Sequence, residues 1–232
     1  ADAIDLCEDR ERFNHLMSEL GVLQPEGAMA LTREEARVAA DRIGYPLLVR
    51  PSYVLGGRGM KICYDDVDFE AALEEALDVS DKHPVLMDRF LEGAVEYDVD
   101  VLSDGEQVHI AGIMEHIEEA GIHSGDSACV MPPVTLSEAE RAVMVEATQA
   151  IAKRLKVVGL LNIQYAVQRG RVFVIEVNPR ASRTVPYVSK ATGVALPRLA
   201  TRICLGEKLS DLGSLGSLPQ GIFFIKAPVF PA

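Results

Sequence analysis

Apolar residues recur at helical spacing in several stretches of the chain. Residues 7–20 place Phe13, Leu16 and Met17 on one face, and Gly21 follows as a stop signal. Two further stretches begin with the spacing of a capping box, Thr32 with Glu35 and Ser137 with Glu140. The predicted helices cover residues 7–20, 32–44, 66–79, 137–155 and 196–206. We expect their apolar stripes to be core contacts.

Alternating apolar and polar residues predict two antiparallel hairpins. The first covers residues 96–114 and turns at Asp104-Gly105, and the second covers residues 160–179 with Gly170 at its turn. Short strands are expected on both sides of residues 50–60 and again over residues 221–227. Helices set among antiparallel strands predict an α+β fold.

Three segments are predicted from these elements. Residues 1–22 are interpreted as a helical lead-in from a preceding domain, residues 23–92 as a smaller lobe and residues 93–232 as a larger lobe. The first residue is not methionine, and we expect the chain to be a fragment of a longer protein.

Composition narrows the class of protein. The chain of 232 residues is 48% hydrophobic and 25% charged, which is typical of a soluble globular protein. Its net charge of -12 argues against a nucleic-acid or membrane-surface binder, so an anionic ligand requires local arginines. The four cysteines form no C-x-x-C pair, and we expect reduced thiols in an intracellular, cytoplasmic protein.

The stretch RPSYVLGGRGM, residues 50–60, brings three glycines between two apolar runs. Glycine lets the backbone approach another group closely, and successive N–H groups in such a turn form an anion-binding concavity. One interpretation is therefore a lid over phosphates, formed by Gly56 and Gly57. The other is an ordinary glycine-rich hairpin turn.

The second hairpin predicts a metal site. If Gln168-Arg169-Gly170 forms a three-residue loop, Gln164 pairs with Val174 and Asn162 faces Glu176. Gln164, Glu176 and Asn178 then share one face, and their oxygens suit a hard Mg²⁺ ion. The alternative is a polar sheet surface that faces solvent.

Other candidate residues lie at strand ends and in one loop. Arginine's planar fork fits phosphate oxygens in pairs. Four arginines are expected at strand ends or just beyond them: Arg50, Arg89, Arg180 and Arg183. The loop GIHSGDSA, residues 121–128, contains serine, histidine and aspartate, but no G-x-S-x-G elbow supports hydrolysis. We interpret this loop as lining a ligand. Neither a Walker loop nor a Rossmann fingerprint is present.

Together, the motifs RPSYVLGGRGM, MEHIEEAGIHSGDSA, NIQYAV and EVNPRASRTVPYVSKATG resemble the ATP-grasp superfamily. More closely, nearly the whole chain resembles the large subunit of carbamoyl phosphate synthetases. The forms AGIHSGDSAC, RTVPYVSKATG and YVLGGRGM are similar to its carboxy-terminal half, which phosphorylates carbamate. Biotin-dependent carboxylases and purine-pathway synthetases are rivals within the superfamily, and the SKATG and HSGDSA stretches argue against them.

This resemblance implies roles for individual residues. Arg50 would meet ATP phosphates under the lid of Gly56 and Gly57, and Arg183 would stabilise the transferring phosphoryl group with Arg180 nearby. Adenosine would lie among Arg89, Leu91 and Glu96, and the nucleotide pocket would include Gly121, Ile122, His123 and Ser124. Gln164, Glu176 and Asn178 would hold Mg²⁺ or Mn²⁺. A structural K⁺ is implied near Glu96, His116 and Ser127.

The resemblance also implies a reaction and partners. Carbamate and ATP would yield carbamoyl phosphate for arginine and pyrimidine biosynthesis. Partners would be the remaining domains of the large subunit and a glutaminase small subunit. An alternative is an ATP-binding module that is inactive without the rest of the enzyme.

Overall fold

The computed structural model describes residues 2–51, 60–79, 84–122, 126–216 and 218–229. The chain divides into two compact units, one of residues 1–24 with 93–232 and the other of residues 25–92. Residues 1–22, interpreted above as a lead-in, are thus grouped with the larger unit. Within the described ranges, no helix is long and apolar enough to cross a membrane.

The helices and strands of the described residues are as follows. The helices are α1 (Asp2–Glu8), α2 (Arg10–Glu19), α3 (Arg33–Ile43), α4 (Asp66–Val79), α5 (Glu138–Arg154), α6 (Val185–Thr192) and α7 (Leu196–Cys204). The strands are β1 (Gly27–Ala30), β2 (Leu47–Pro51), β3 (Lys61–Cys63), β4 (Val85–Arg89), β5 (Val95–Asp104), β6 (Val108–His116), β7 (Cys129–Met131), β8 (Val158–Gln168), β9 (Arg171–Asn178) and β10 (Phe224–Lys226). A short 3₁₀ helix covers Leu209–Leu212.

The smaller unit is an antiparallel sheet with two helices packed on it. Its strand order is β1-β4-β2-β3. The apolar face of α3, with Ala36, Ala40 and Ile43, and that of α4, with Phe69 and Leu73, join the core of this sheet. The apolar stripes of α3 and α4 are thus core contacts, as expected from the sequence.

The larger unit is a six-stranded antiparallel sheet in the order β10-β7-β6-β5-β8-β9. Its core side packs against α2 and α5, where Met17 and Ile151 meet Val99, Ile163 and other apolar residues. Its other side packs in part against α6 and α7, with Leu102, Met114 and Val188 among the buried residues. Since β5 lies inside this sheet and both faces are packed, its last eight residues are all buried.

Together these sheets and helices form an α+β fold with mainly antiparallel strands, as the sequence predicts.

The first predicted helix is in fact two helices. α2 begins at Arg10 because the Asp9 side chain accepts a hydrogen bond from the Arg12 backbone N–H, at 3.0 Å. α1 is a separate short helix before it. β1, β7 and helix α6 were not predicted from the sequence, and β4 was implied only by the placement of Arg89 at a strand end.

Candidate functional site

A row of acidic side chains lies on one face of β5. Residues 96, 98 and 100 alternate with Tyr97 and Val99, which belong to the apolar core on the opposite face. Glu96 is partly buried, whereas Asp98 is 1% exposed and Asp100 is 0% exposed. Two fully buried carboxylates require hydrogen-bond or charge partners, because burial of an isolated charge is strongly unfavourable.

The register of β8 and β9 brings amide and carboxylate side chains onto the same face. Glu176 lies directly opposite Gln164, and Asn178 lies opposite Asn162. In turn, Gln164 pairs with Asp98 of β5, and Asn162 pairs with Asp100. Residues directly opposite in an antiparallel pair share a face. Gln164, Glu176 and Asn178 therefore share this face of the sheet.

The predicted turn of this hairpin was wrong. The loop has two residues, Arg169 and Gly170, whose φ angles of 51° and 75° are those of a type I′ turn. Gln168 pairs with Arg171, and Tyr165 rather than Gln164 pairs with Val174. A register shift between Gln164 and Tyr165 leaves Ile175 as the extra residue of a β-bulge. The bulge adds a second one-residue shift, so Gln164 and Glu176 share a face as predicted, although Glu176 lies opposite Gln164 and not opposite Asn162.

Asp98 forms a buried ion pair with His116 of β6. The His116 Nε2 atom is 2.6 Å from Asp98 Oδ2, and its Nδ1 atom is 3.5 Å from Glu96 Oε2. Burial acts to lower the pKa of His116, but the hydrogen bond and charge of Asp98, together with the neighbouring Cys129, outweigh it and raise this pKa to about 10. The imidazolium is thus the stable form at neutral pH, and Nε2–H donates to Asp98.

Asn162 joins Asp98 to Asp100. Its side-chain amide donates one hydrogen bond to Asp98 Oδ1 at 2.9 Å and another to Asp100 Oδ1 at 3.0 Å. A carboxylate only accepts, so both amide protons are required here.

Asp100 also binds the loop that follows β9. The hydroxyl of Ser182 donates to Asp100 Oδ1 and that of Thr184 donates to Oδ2, each at 2.7 Å. Burial raises the pKa of Asp100 to about 6, although hydrogen bonds from Thr184, Ser182 and Asn162 act to lower it.

Arg180 and Arg183 lie on this same loop, and both are exposed. Arg180 donates to Asn178 Oδ1 at 2.9 Å and to the Ala181 carbonyl at 3.2 Å. Arg183 stands between the two residues that Asp100 binds. The loop thus carries two arginines, and Arg180 contacts Asn178 on the face that carries Glu176.

Glu96 and Gly121 are brought together at the start of β5. The Gly121 backbone N–H donates to Glu96 Oε1 at 2.9 Å. Burial raises the pKa of Glu96, against the lowering effect of this N–H and of His116. Ile122 is 42% exposed, and its carbonyl accepts a hydrogen bond from Ser127 Oγ at 3.3 Å. His123 and Ser124 lie outside the described residues.

Three other candidates belong to the smaller unit. Arg50 of β2 is 3.6 Å from Asp88 in an ion pair. Arg89, at the end of β4, donates to the Ile43 carbonyl at 2.9 Å, which is a favourable cation position at the carboxyl end of α3. Leu91 is 8% exposed. The predicted lid residues Gly56 and Gly57 lie outside the described part of the chain.

Sequence reasoning overlooked Asp98 and Asp100. The alternation EYDVDV was visible, but in a two-stranded hairpin its polar face would be a solvent face. These two residues are identified by the position of β5 inside the sheet, where it has β6 on one side and β8 on the other.

This combination of antiparallel sheets also occurs in solved structures. The biotin carboxylase domain of Hydrogenobacter thermophilus 2-oxoglutarate carboxylase, in complex with MgADP, ADP and bicarbonate, is similar with a TM-score of 0.74 and 26% sequence identity. The similarity covers 90% of this chain and 47% of that one. The fold is thus the ATP-grasp fold of ATP-dependent ligases.

Within this class, the chain belongs to one family. The family model of the carbamoyl-phosphate synthase L chain, ATP binding domain, matches residues 9–212. The carbamoyl phosphate synthase large chain of Rubrobacter xylanophilus is 57% identical over 230 residues, which are 99% of this chain and 22% of that relative. The C-terminal section of the Methanocaldococcus jannaschii large chain is 57% identical over 209 residues, 90% of this chain and 34% of that relative.

Proposed function

We propose that this chain phosphorylates carbamate with ATP to give carbamoyl phosphate, as the carboxy-terminal ATP-grasp half of a carbamoyl phosphate synthase large chain. The pathway would be carbamoyl phosphate synthesis from bicarbonate, ammonia and ATP, which serves arginine and pyrimidine biosynthesis. A glutaminase small subunit would supply the ammonia from glutamine. The observation that carries the proposal is one sheet face on which Gln164 and Glu176 lie directly opposite each other. Asn178 lies on the same face and contacts Arg180 of the loop that follows β9.

The choice of the carboxy-terminal half rests on sequence. The Methanocaldococcus jannaschii relative is itself described as a C-terminal section. The stretches AGIHSGDSAC and RTVPYVSKATG favour the same half.

The reaction is an in-line displacement. A carbamate oxygen attacks the γ-phosphorus of ATP, the bond from that phosphorus to the β–γ bridging oxygen breaks, and ADP leaves with the electron pair. Such a transfer needs positioning and charge stabilisation more than covalent chemistry. In this chain Arg183 would stabilise the charge on the transferring phosphoryl group and Arg180 would lie next to it.

The donor set on the sheet face fits a hard divalent cation. Glu176 contributes a carboxylate, and Gln164 and Asn178 contribute amide oxygens. Asn178 Oδ1 accepts from Arg180, and a carbonyl oxygen has a second lone pair for a metal. Among the described residues, no cluster of three or more His, Cys, Asp or Glu side chains has metal-binding geometry. One carboxylate with two amides is a set that leaves coordination positions for phosphate oxygens.

When bound, Mg²⁺ or Mn²⁺ would neutralise charge on the phosphate oxygens of the nucleotide. We assign the remaining contacts to the positions that match the family's motifs. Arg50, Gly56 and Gly57 would bind the phosphates. The nucleoside would contact Arg89, Leu91, Glu96, Gly121, Ile122, His123 and Ser124. A structural K⁺ near Glu96, His116 and Ser127 belongs to the same proposal.

The test is ATP formation from ADP and carbamoyl phosphate by the purified chain with Mg²⁺. Glu176→Gln keeps the shape of the side chain but removes the only carboxylate of the donor set. We expect it to lower the rate by about 100-fold or more, because electrostatic groups at the transferring phosphoryl are worth at least that much. The free energy of unfolding should change little, because Glu176 is exposed.

Glu138→Gln is a matched control, since Glu138 is an exposed carboxylate on α5. It should leave the rate unchanged. Equal rates for Glu176→Gln and the unsubstituted chain would contradict the metal assignment. Binding of Mg²⁺ and ADP without any ATP formation would favour the alternative of a nucleotide-binding module that needs the other domains of its enzyme.

A further inference from the structure

We infer that Asp100 is a positioning residue that holds the loop of residues 180–184, and with it Arg183, in place for phosphoryl transfer. The inference rests on the proposed function for its catalytic consequence. Its structural part, the restraint of the loop, stands on contacts alone.

The first argument is the geometry of the contacts. Asp100 binds the residue before Arg183 and the residue after it, through the Ser182 and Thr184 hydroxyls at 2.7 Å each. The two hydroxyl oxygens are themselves 2.6 Å apart. Two hydrogen-bonded residues that flank a third restrict its backbone more than one would. The backbone position of Arg183 is therefore fixed from both sides.

The second argument is burial. Asp100 is 0% exposed and Thr184 is 1% exposed, whereas Arg183 between the two hydrogen-bonded residues is exposed. Hydrogen bonds to a buried carboxylate are strong because little water competes for them. The loop is therefore bound to the core through Asp100, while the Arg183 side chain is exposed.

The third argument is the link to the other side of the site. The same Asp100 Oδ1 accepts from Asn162, and Asn162 lies opposite Asn178 in the register of β8 and β9. One buried side chain thus connects the strand pair that carries the proposed metal ligands with the loop that carries the proposed phosphoryl-binding arginine. A displacement of about 1 Å in such a constellation is enough to lower a rate about 100-fold.

Thr184→Val is the informative variant. It has nearly the same shape as threonine but cannot donate to Asp100, and it leaves Asp100, Asn162 and Arg183 intact. Asp100→Ala is less suitable. It also removes one of the two acceptors of the buried Asn162 amide, so a loss of activity could come from reduced stability of the fold. Thr148→Val is the matched control, since Thr148 is a fully buried threonine whose hydroxyl meets Tyr165 at 2.7 Å on the other face of the sheet.

The first measurement is trypsin cleavage after Arg180 under native conditions, followed by mass spectrometry. This bond joins Arg180 to Ala181, and neither residue is changed in the variants. Cleavage requires local opening of the loop. We expect Thr184→Val to be cleaved there at least about tenfold faster than the unsubstituted chain, and Thr148→Val to be cleaved at an unchanged rate. Unchanged cleavage in Thr184→Val, or equal acceleration in both variants, would overturn the inference.

The second measurement is the kinetics of ATP formation from ADP and carbamoyl phosphate. We expect Thr184→Val to lower kcat about tenfold or more while the KM for ADP changes by less than about twofold, because the loss falls on the transition state. Equal kcat values for the two variants would contradict a catalytic consequence. If the unsubstituted chain forms no ATP, the proposed function is what fails, and the cleavage result still decides whether Asp100 holds the loop.

Discussion

At the scale of single residues, the site depends on a continuous series of buried polar contacts. It runs from His116 to Asp98, then through Asn162 to Asp100 and on to Thr184. Each donor in the series has an acceptor except His116 Nδ1, which makes no hydrogen bond and lies 3.5 Å from Glu96 Oε2 in an ion pair. Polar groups are tolerated in a core when they have such partners. The charged pair at its beginning makes the stability of the chain depend on pH.

His116→Gln should lose stability in a pH-dependent way. The pKa of His116 rises from 6.5 to about 10 on folding, so the folded chain binds a proton that the unfolded chain has released. Stabilisation by the charged ring is complete below pH 6.5 and disappears as the pH rises towards 10. The stability advantage over His116→Gln should therefore shrink across this range, with a slope of at most about 1.4 kcal/mol per pH unit. Urea unfolding at several pH values measures it.

His109→Gln is the control on the same strand. Burial lowers the pKa of His109, so this ring is neutral in both states above pH 7.5 or so. Its stability difference should stay flat where that of His116→Gln changes. Parallel curves for the two variants would show that His116 is not protonated in the folded chain.

At the scale of elements, α6 is seated closely on the larger sheet. Gly112 of β6 lies beneath it, and a Cβ atom at this position would come within 2.8 Å of Met131 Sδ and 2.9 Å of a Val188 methyl group. Glycine here allows the helix to approach the strand. α6 begins directly after the loop of residues 180–184, so this contact also helps to set where the loop ends.

Gly112→Ala should destabilise the chain by about 1–3 kcal/mol, the usual cost of overpacking a core. Chemical unfolding monitored by circular dichroism measures the effect. Val188→Ala removes the two methyl groups near the new Cβ and leaves Met131 Sδ, at the end of a flexible side chain, as its close contact. The double variant should therefore lose less free energy of unfolding than the sum of the losses of the two single variants. Strict additivity, or an unchanged stability in Gly112→Ala, would show that the strand and helix are not in close contact.

At the scale of the whole molecule, the net charge of -12 opposes any anionic ligand. The proposed nucleotide site must therefore be locally positive, and the proposed arginines together with a bound divalent cation would provide this charge. Binding should then be strongly coupled to the metal.

The proposed function predicts that ADP with Mg²⁺ stabilises the folded chain. At a ligand concentration about 100 times Kd, linkage contributes about 2.7 kcal/mol, which raises the unfolding midpoint by about 5–10 °C. Differential scanning fluorimetry measures the shift. EDTA should remove most of it, and so should Glu176→Gln. An equal shift with and without metal would contradict a metal-dependent nucleotide site.

Much of the local structure follows from the sequence alone. Helix α5 is capped by Ser137, which forms a complete capping box with Glu140. Helix α3 is capped as predicted by Thr32, although its capping box is incomplete because the Glu35 side chain accepts from the Leu31 N–H and not from the Thr32 N–H. Caps, apolar stripes and turn residues act over three or four positions, so they can be read from a short stretch. The grouping of Gln164, Glu176 and Asn178 was also predicted, although by way of the wrong turn.

Other features depended on residues that are far apart in the chain. The two-residue turn would have separated Gln164 from Glu176 without the bulge at Ile175, and no local signal marks that bulge. Asp98 and Asp100 are buried because β5 lies between β6 and β8. Thr184 reaches Asp100 across 84 positions of sequence. The sequence by itself thus determined most of the helices, the two long hairpins and the residue types of the proposed phosphoryl-transfer site. Strand order and packing decided which of those residues meet, because such contacts form only when distant segments come together.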